Sequence, residues 1–215
     1  MECNFMNLAG LFGGIGINVP GVRIGVHNSI SIEDGETVHS MLKVVNGHIS
    51  IGSNCKVNGN SICVNGAIQV GNNSKVNDLV TVNGGVTIGE STSVRGCISA
   101  VNGRITCAPG VHIEGGEISS VNGSINLTNT TVEADITVCN SNITLLKKSN
   151  VEGDIIVQKK QKDSKRRSRV KIEITDNSTV EGDIVVESEE AHVKVILSKG
   201  GKVNGKIENA DVINK

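Results

Sequence analysis

The stretch VVNGHISIGSNCKVNGNSICVNGAIQVG (44–71) carries the triplet Val-Asn-Gly at 45–47, 57–59 and 64–66. The triplet returns at Val82, Val101 and Val121, so the series from Val45 and Val64 advances by 19, 18, 19 and 20 residues. A second marker, Val-x-Gly or a near variant, begins at Val57, Val76, Val94, Ile113, Val132 and Val151, with steps of 19, 18, 19, 19 and 19. Two interleaved markers sharing one period define a structural repeat from residue 45 to about 157.

Within each unit the aliphatic residues hold fixed offsets. The first marker is followed by alternating pairs: Ile49/Ile51, Ile68/Val70, Val86/Ile88, Ile105/Cys107, Ile125/Leu127 and Ile143/Leu145. Alternation with period two describes a short strand with one buried face. A single aliphatic follows the second marker, at Ile62, Val80, Ile98, Ile118, Ile136 and Ile155. Each unit thus supplies three short strands. Valines also fall on a near-hexad ladder, Val45–Ile51–Val57 and its repeats, which predicts that three steps bring the chain back to its starting column.

One unit cannot bury its aliphatics alone, whereas stacking sets like side chains above one another. The expected fold is therefore all-β: a single-stranded parallel β-solenoid, a three-sided β-helix of about 19 residues per coil, with the right-handed form preferred. Asn-Gly is read as a corner element that tolerates positive φ, and its asparagines are placed to bond to one another from coil to coil.

Composition agrees with a core filled by branched aliphatics. Phe5 and Phe12 are the only aromatics in 215 residues, and 26 glycines stand against 2 prolines. A formal net charge of -1 gives no long-range field for nucleic acid or anionic membrane. No apolar run reaches the length of a transmembrane segment. The chain as it stands reads as cytoplasmic or membrane-associated; a signal peptide upstream of Met1 would move it to the periplasm or surface. Six cysteines, at 3, 55, 63, 97, 107 and 139, are an even number that a secreted protein could pair, but their wide spacing makes free thiols the preferred reading.

Four segments follow. Residues 1–24 are an apolar, Gly-rich N-terminal cap or attachment segment; 25–157 form the regular solenoid; 158–169 are a basic insertion; 170–215 are degenerate C-terminal coils. The insertion holds Lys159, Lys160, Lys162, Lys165, Arg166, Arg167 and Arg169. Those seven form a candidate contact for an anion or partner through their positive charge. No aromatics interleave them, so nucleic acid is disfavoured, and a solvated loop is the simpler reading.

Catalytic chemistry needs convergent polar groups. His27, His39, His48, His112 and His192 share no motif and do not follow the period. Cys107 occupies the column of Ile51, Val70, Ile88 and Leu127, as a small buried hydrophobe would. The triplets Glu133–Asp135, Glu152–Asp154 and Glu181–Asp183 would stack like charges, read as a polar corner in solvent. An outward row of Ser50, Gln69, Thr87, Thr106, Asn126 and Thr144 lies beside His48, Ala67, Gly85, Arg104, Ser124 and Asn142, too mixed for an ice-binding plane. No catalytic residue, cofactor site or metal site is assigned.

The segments Val45–Gly52, Val57–Gly66, Val82–Gly89, Val94–Gly103 and Ile113–Gly123, built as "VNGxIxIG" and "VxGxIxxVNG", resemble the bactofilins, polymer-forming cytoskeletal proteins of bacteria. The resemblance fades after Gly153. It implies a right-handed three-sided β-helix that stacks end to end, binds no nucleotide and organises envelope or cell-shape machinery. The apolar head, the cysteines and the basic insertion depart from that family's short polar tails. The expectation is a non-enzymatic structural rod whose partners are itself, through the solenoid ends, and an envelope or polysaccharide component. A surface or secreted adhesion and glycan-binding module is the alternative, and a left-handed acyltransferase-like enzyme a remote one.

Overall fold

A computed structural model of the chain describes residues 21–158, 169–188 and 191–215. These residues wind as a parallel β-solenoid in which each coil but the last carries three runs of strand, the last carrying two. In the second coil the runs are Met41–Asn46, Ile49–Ile51 and Lys56–Val57. The first and second runs of all coils belong to one 17-stranded sheet, and the third runs form a separate 9-stranded sheet. First runs start at Val22, Met41, Ser61, Leu79, Ile98, Ile118, Ile136, Ile155, Ile184 and Ile207, which counts ten coils. At about 4.8 Å per step these stand about 43 Å from first to last.

Residue-on-residue stacking explains why so poor a set of side chains folds. One second-run column reads Ile30, Ile49, Ile68, Val86, Ile105, Ile125, Ile143, Ile172, Val195 and Val212, each paired with the next. From Ile49 to Val195 every member is fully buried. The third run adds Val76, Val94, Ile113, Val132, Val151 and Val180, also fully buried. Burying one such side chain is worth roughly 1.5–3 kcal/mol, and β-branched residues fit a pleated surface with little rotamer freedom to lose.

Two details of the ladder differ from expectation. The triplet valines Val45, Val64, Val82, Val101 and Val121 are half-buried, because the residue before each points inward: Val44, Cys63, Thr81, Ala100 and Ser120 fill that column. Ile62 and Val80 likewise stand one place out of the inward column, which runs Leu42, Ser61, Leu79, Ile98, Ile118, Ile136. A variable step of 18 to 20 residues hides such a one-residue offset, and with strand period two it exchanges inside for outside.

The Asn-Gly pair also works differently. In the fifth and sixth coils a continuous strand passes through it, Ile98–Cys107 and Ile118–Thr128, so it marks a bend within a sheet. Glycine is required there by proximity: a Cβ on Gly66, Gly103 or Gly123 would strike the carbonyl oxygen of Gly47, Gly84 or Gly103 on the coil before. Positive φ is also present at the pair in coils two to four, at Gly47, Gly66 and Gly84 (151–158°), as expected of such an element, while the left-handed conformation recurs at the tight turn between second and third runs, at Gly35, Asn54, Asn73, Ser91, Gly110, Asn129, Lys148, Asn177 and Gly200. The expected amide ladder is present. Asn65, Asn83, Asn102, Asn122 and Asn140 each donate to the side-chain oxygen of the asparagine one coil back, beginning at Asn46, at 2.9–3.3 Å.

Past Val157 the same rod continues. Arg169–Ile174 pairs with the strand before it through Ile143 and Ile172, and His192–Leu197 stacks on Arg169–Ile174. First-run register advances by 29 residues from Ile155 to Ile184 and by 23 from Ile184 to Ile207. Both excesses enter between first and second runs, where earlier coils carry Asn-Gly. That bend accepts extra chain without disturbing the column on either side.

Candidate functional site

The basic insertion is the cluster whose charge suits contact with an anion or partner. Lys159, Lys160, Lys162, Lys165, Arg166 and Arg167 lie outside the described residues, as does the head up to residue 20. Arg169 is described: it is exposed and opens a second-run strand, opposite His192 in the next coil.

The histidines stay apart. His39 Nδ1 meets Asn58 Nδ2 at 2.9 Å, His48 Nδ1 accepts the Ala67 N–H at 3.0 Å, and His112 Nε2 reaches Glu133 Oε1 at 2.8 Å. Each sits on a different coil and serves its neighbouring coil. Among the described residues no group of three or more His, Cys, Asp or Glu is placed to hold a metal ion.

Cysteines divide by environment. Cys55, Cys63, Cys107 and Cys139 are not in disulfides, whereas Cys97 is disulfide-bonded, which corrects the expectation of free thiols at that position. Burial raises the Cys63 thiol pKa and pushes that of Cys107 up to about 12, so neither is a thiolate nucleophile near neutral pH. Cys55 stands in a buried corner column with Ser74, Thr92, Val111, Thr130, Ser149 and Ser178. There Ser74 Oγ accepts from the Cys55 N–H and donates to the Gly52 carbonyl. Ser149 Oγ accepts from the Thr130 N–H and donates to the Leu127 carbonyl. The column closes the turn's backbone polarity, and its small polar residues were not recognised as a set in the sequence.

Acidic residues separate into two roles. Asp135, Asp154 and Asp183 each accept the backbone N–H of the residue one coil on, from Asp154, Asp183 and Lys206, at 2.7–2.8 Å. Carboxylates bonded this way are structural corner pieces. Glu114, Glu133, Glu152 and Glu181, by contrast, project into solvent from successive third runs.

The outward row of the second run stacks as expected, Ser50, Gln69, Thr87, Thr106, Asn126 and Thr144, and Glu173 extends it. Its neighbour row is broken by Arg104, whose Nε bonds Ser124 Oγ at 3.1 Å.

What the described residues present is therefore a long polar prism with repeating faces. Among them no helix is long and apolar enough to cross a membrane. No family model, curated protein or solved structure matches the chain. The parallel solenoid is consistent with the bactofilin-like repeat pattern and is the level at which the resemblance holds.

Proposed function

We propose that the chain is a non-enzymatic structural rod that associates through its solenoid ends and serves as a scaffold at the cell envelope. One observation carries this reading: the second-run column from Ile30 to Val212 is aliphatic along its whole length and, among the described residues, ends at rungs paired on one side alone. Val22–Gly25 and Asp211–Asn214 each pair on one side alone among the described residues. Val212, which ends the second-run column, is 46% exposed, whereas Ile24 at 40% lies in the outward row of the first run beside Lys43. A parallel rung with half-filled aliphatic positions is a template for another rung. Electron microscopy of the purified chain at several salt concentrations tests the assembly. End-to-end filaments are expected, shortened by Val212→Lys; a monodisperse single rod at high concentration would remove the polymer reading.

A second reading, a glycan-binding adhesion module, draws support from the exposed row Ser50, Gln69 and Thr87, whose hydroxyl and amide groups repeat along the coil axis. Binding to immobilised polysaccharide that is lost in Gln69→Ala with Thr87→Ala would favour it over the scaffold.

A further inference from the structure

The third-run face divides its charge by coil. It presents two outward files, one on each side of the inward aliphatic residue. The first carries Lys56 and Lys75 on coils two and three, followed by the uncharged Ser93, Thr131, Asn150 and Thr179 and by His112. The second, two residues along the strand, carries Asn58 and Asn77 on coils two and three, Arg95 on coil four, then Glu114, Glu133, Glu152 and Glu181 on coils five to eight. Backbone bonds from Arg95, Glu114, Glu133, Glu152 and Glu181 to Val76, Val94, Ile113, Val132 and Val151 fix these side chains in one straight file. All seven charged residues are exposed. Carboxylates spaced at about 4.8 Å repel one another. Within the chain their relief is slight: His112 meets Glu133, Ser93 donates to Glu114 and Asn204 donates to Glu181. On the basic half, Arg95 donates to Asn58.

We infer that this face binds a second copy of the chain, side by side and antiparallel, with the basic half of each rod against the acidic half of the other. The two-fold axis lies between coils four and five. It sets Arg95 against Glu114 of the second copy, Lys75 beside its Glu133, Lys56 beside its Glu152 and His39 beside its Glu181, and each contact occurs twice. In this register no like charges meet among these groups, and Lys202 on coil nine faces none of the described coils of the second copy. A parallel arrangement would instead place Lys56 on Lys56 and Glu152 on Glu152, which opposes it.

Eight rungs of about 4.8 Å and a face only a few residues wide cover roughly 450 Å² per copy. That is at the lower limit for a specific complex, and its contacts are exposed ion pairs. The association is therefore weak, reversible and lost at high salt. It uses the side of the rod and does not depend on end-to-end stacking.

The test is sedimentation equilibrium of the full chain carrying Val212→Lys to suppress end contacts, at low and high salt. A dimer at low salt that dissociates at high salt is expected. Lys56→Glu with Lys75→Glu should weaken it by about a hundredfold or more, with an unchanged circular dichroism spectrum. Adding Glu133→Lys and Glu152→Lys to that variant, so that the charges are exchanged, should restore the dimer. A monomer at low salt, association unaffected by the reversal, or failure of the four-fold exchange to restore it would overturn the inference.

Discussion

Single positions in this solenoid are judged by the column they join. Ser61 stands between Leu42 and Leu79 in an inward aliphatic column, and its hydroxyl is buried with no hydrogen-bond partner. Removing an unsatisfied buried hydroxyl relieves a desolvation cost. Ser61→Ala should therefore stabilise the fold by about 1 kcal/mol, read as a higher urea midpoint with unchanged slope; a lower midpoint would show that the hydroxyl is satisfied in solution. Cys107 makes a pH-dependent case. Its folded-state pKa of about 12 exceeds the ordinary value of 9.0 because burial disfavours the thiolate. The unfolded chain therefore loses this proton first as pH rises. The resulting stability is intact below pH 9 and falls progressively between pH 9 and 12. Denaturation curves across that window should show the fall, and Cys107→Val, which keeps the column aliphatic, should remove the part due to this thiol.

At the scale of the element, the bend between first and second runs holds the fold's tightest backbone approach. Gly84, Gly103 and Gly123 follow one another there, each leaving room for the carbonyl of the coil before. Gly103→Ala should cost about 3 kcal/mol or more, because backbone on two coils must separate to admit one methyl. Hydrogen exchange should localise the loss to residues 98–107 and their neighbours at 79–88. Strand identity and the inward set of the second and third runs were legible in the sequence because alternation and a shared period report them directly. The first run was less so: five residues with small or polar inward members, such as Ser61, Thr81 and Ser120, give no hydrophobic contrast to fix the phase. The corner column of Ser74, Thr92, Ser149 and Ser178 was invisible for a related reason. Its members bond backbone rather than one another, and a hydroxyl beside a turn reads as an ordinary loop residue. On the third-run face the stacked Glu133, Glu152 and Glu181 were legible from their shared triplet, whereas Lys56 and Lys75, two residues off that file, joined the same face only once register aligned the runs.

Over the whole molecule, the strands of each coil pair only with those of its two neighbours, so stability is largely a sum of coil and interface terms rather than a property of one compact core. Among the described residues the C-terminal end has a neighbour on one side alone, and its inward positions are correspondingly open: Val203 and Ile207 are half-buried and Val212 is exposed, whereas Ile125, Leu127, Ile143 and Leu145 are fully buried. A lesion should therefore be felt according to its height along the rod. Leu127→Ala in the sixth coil opens a cavity between Cys107 below and Leu145 above, at a cost of about 3 kcal/mol. Val203→Ala in the ninth coil removes a half-exposed side chain and should cost less than about 1 kcal/mol. The central lesion also separates two stacks that can each retain local pairing. Its urea transition should broaden or divide, with amides of residues 41–94 and 179–195 losing protection at different concentrations. Hydrogen exchange followed through that transition distinguishes the outcomes: a single sharp transition shared by all strands in Leu127→Ala would mean that the rod folds as one unit and that nearest-neighbour stacking does not govern it.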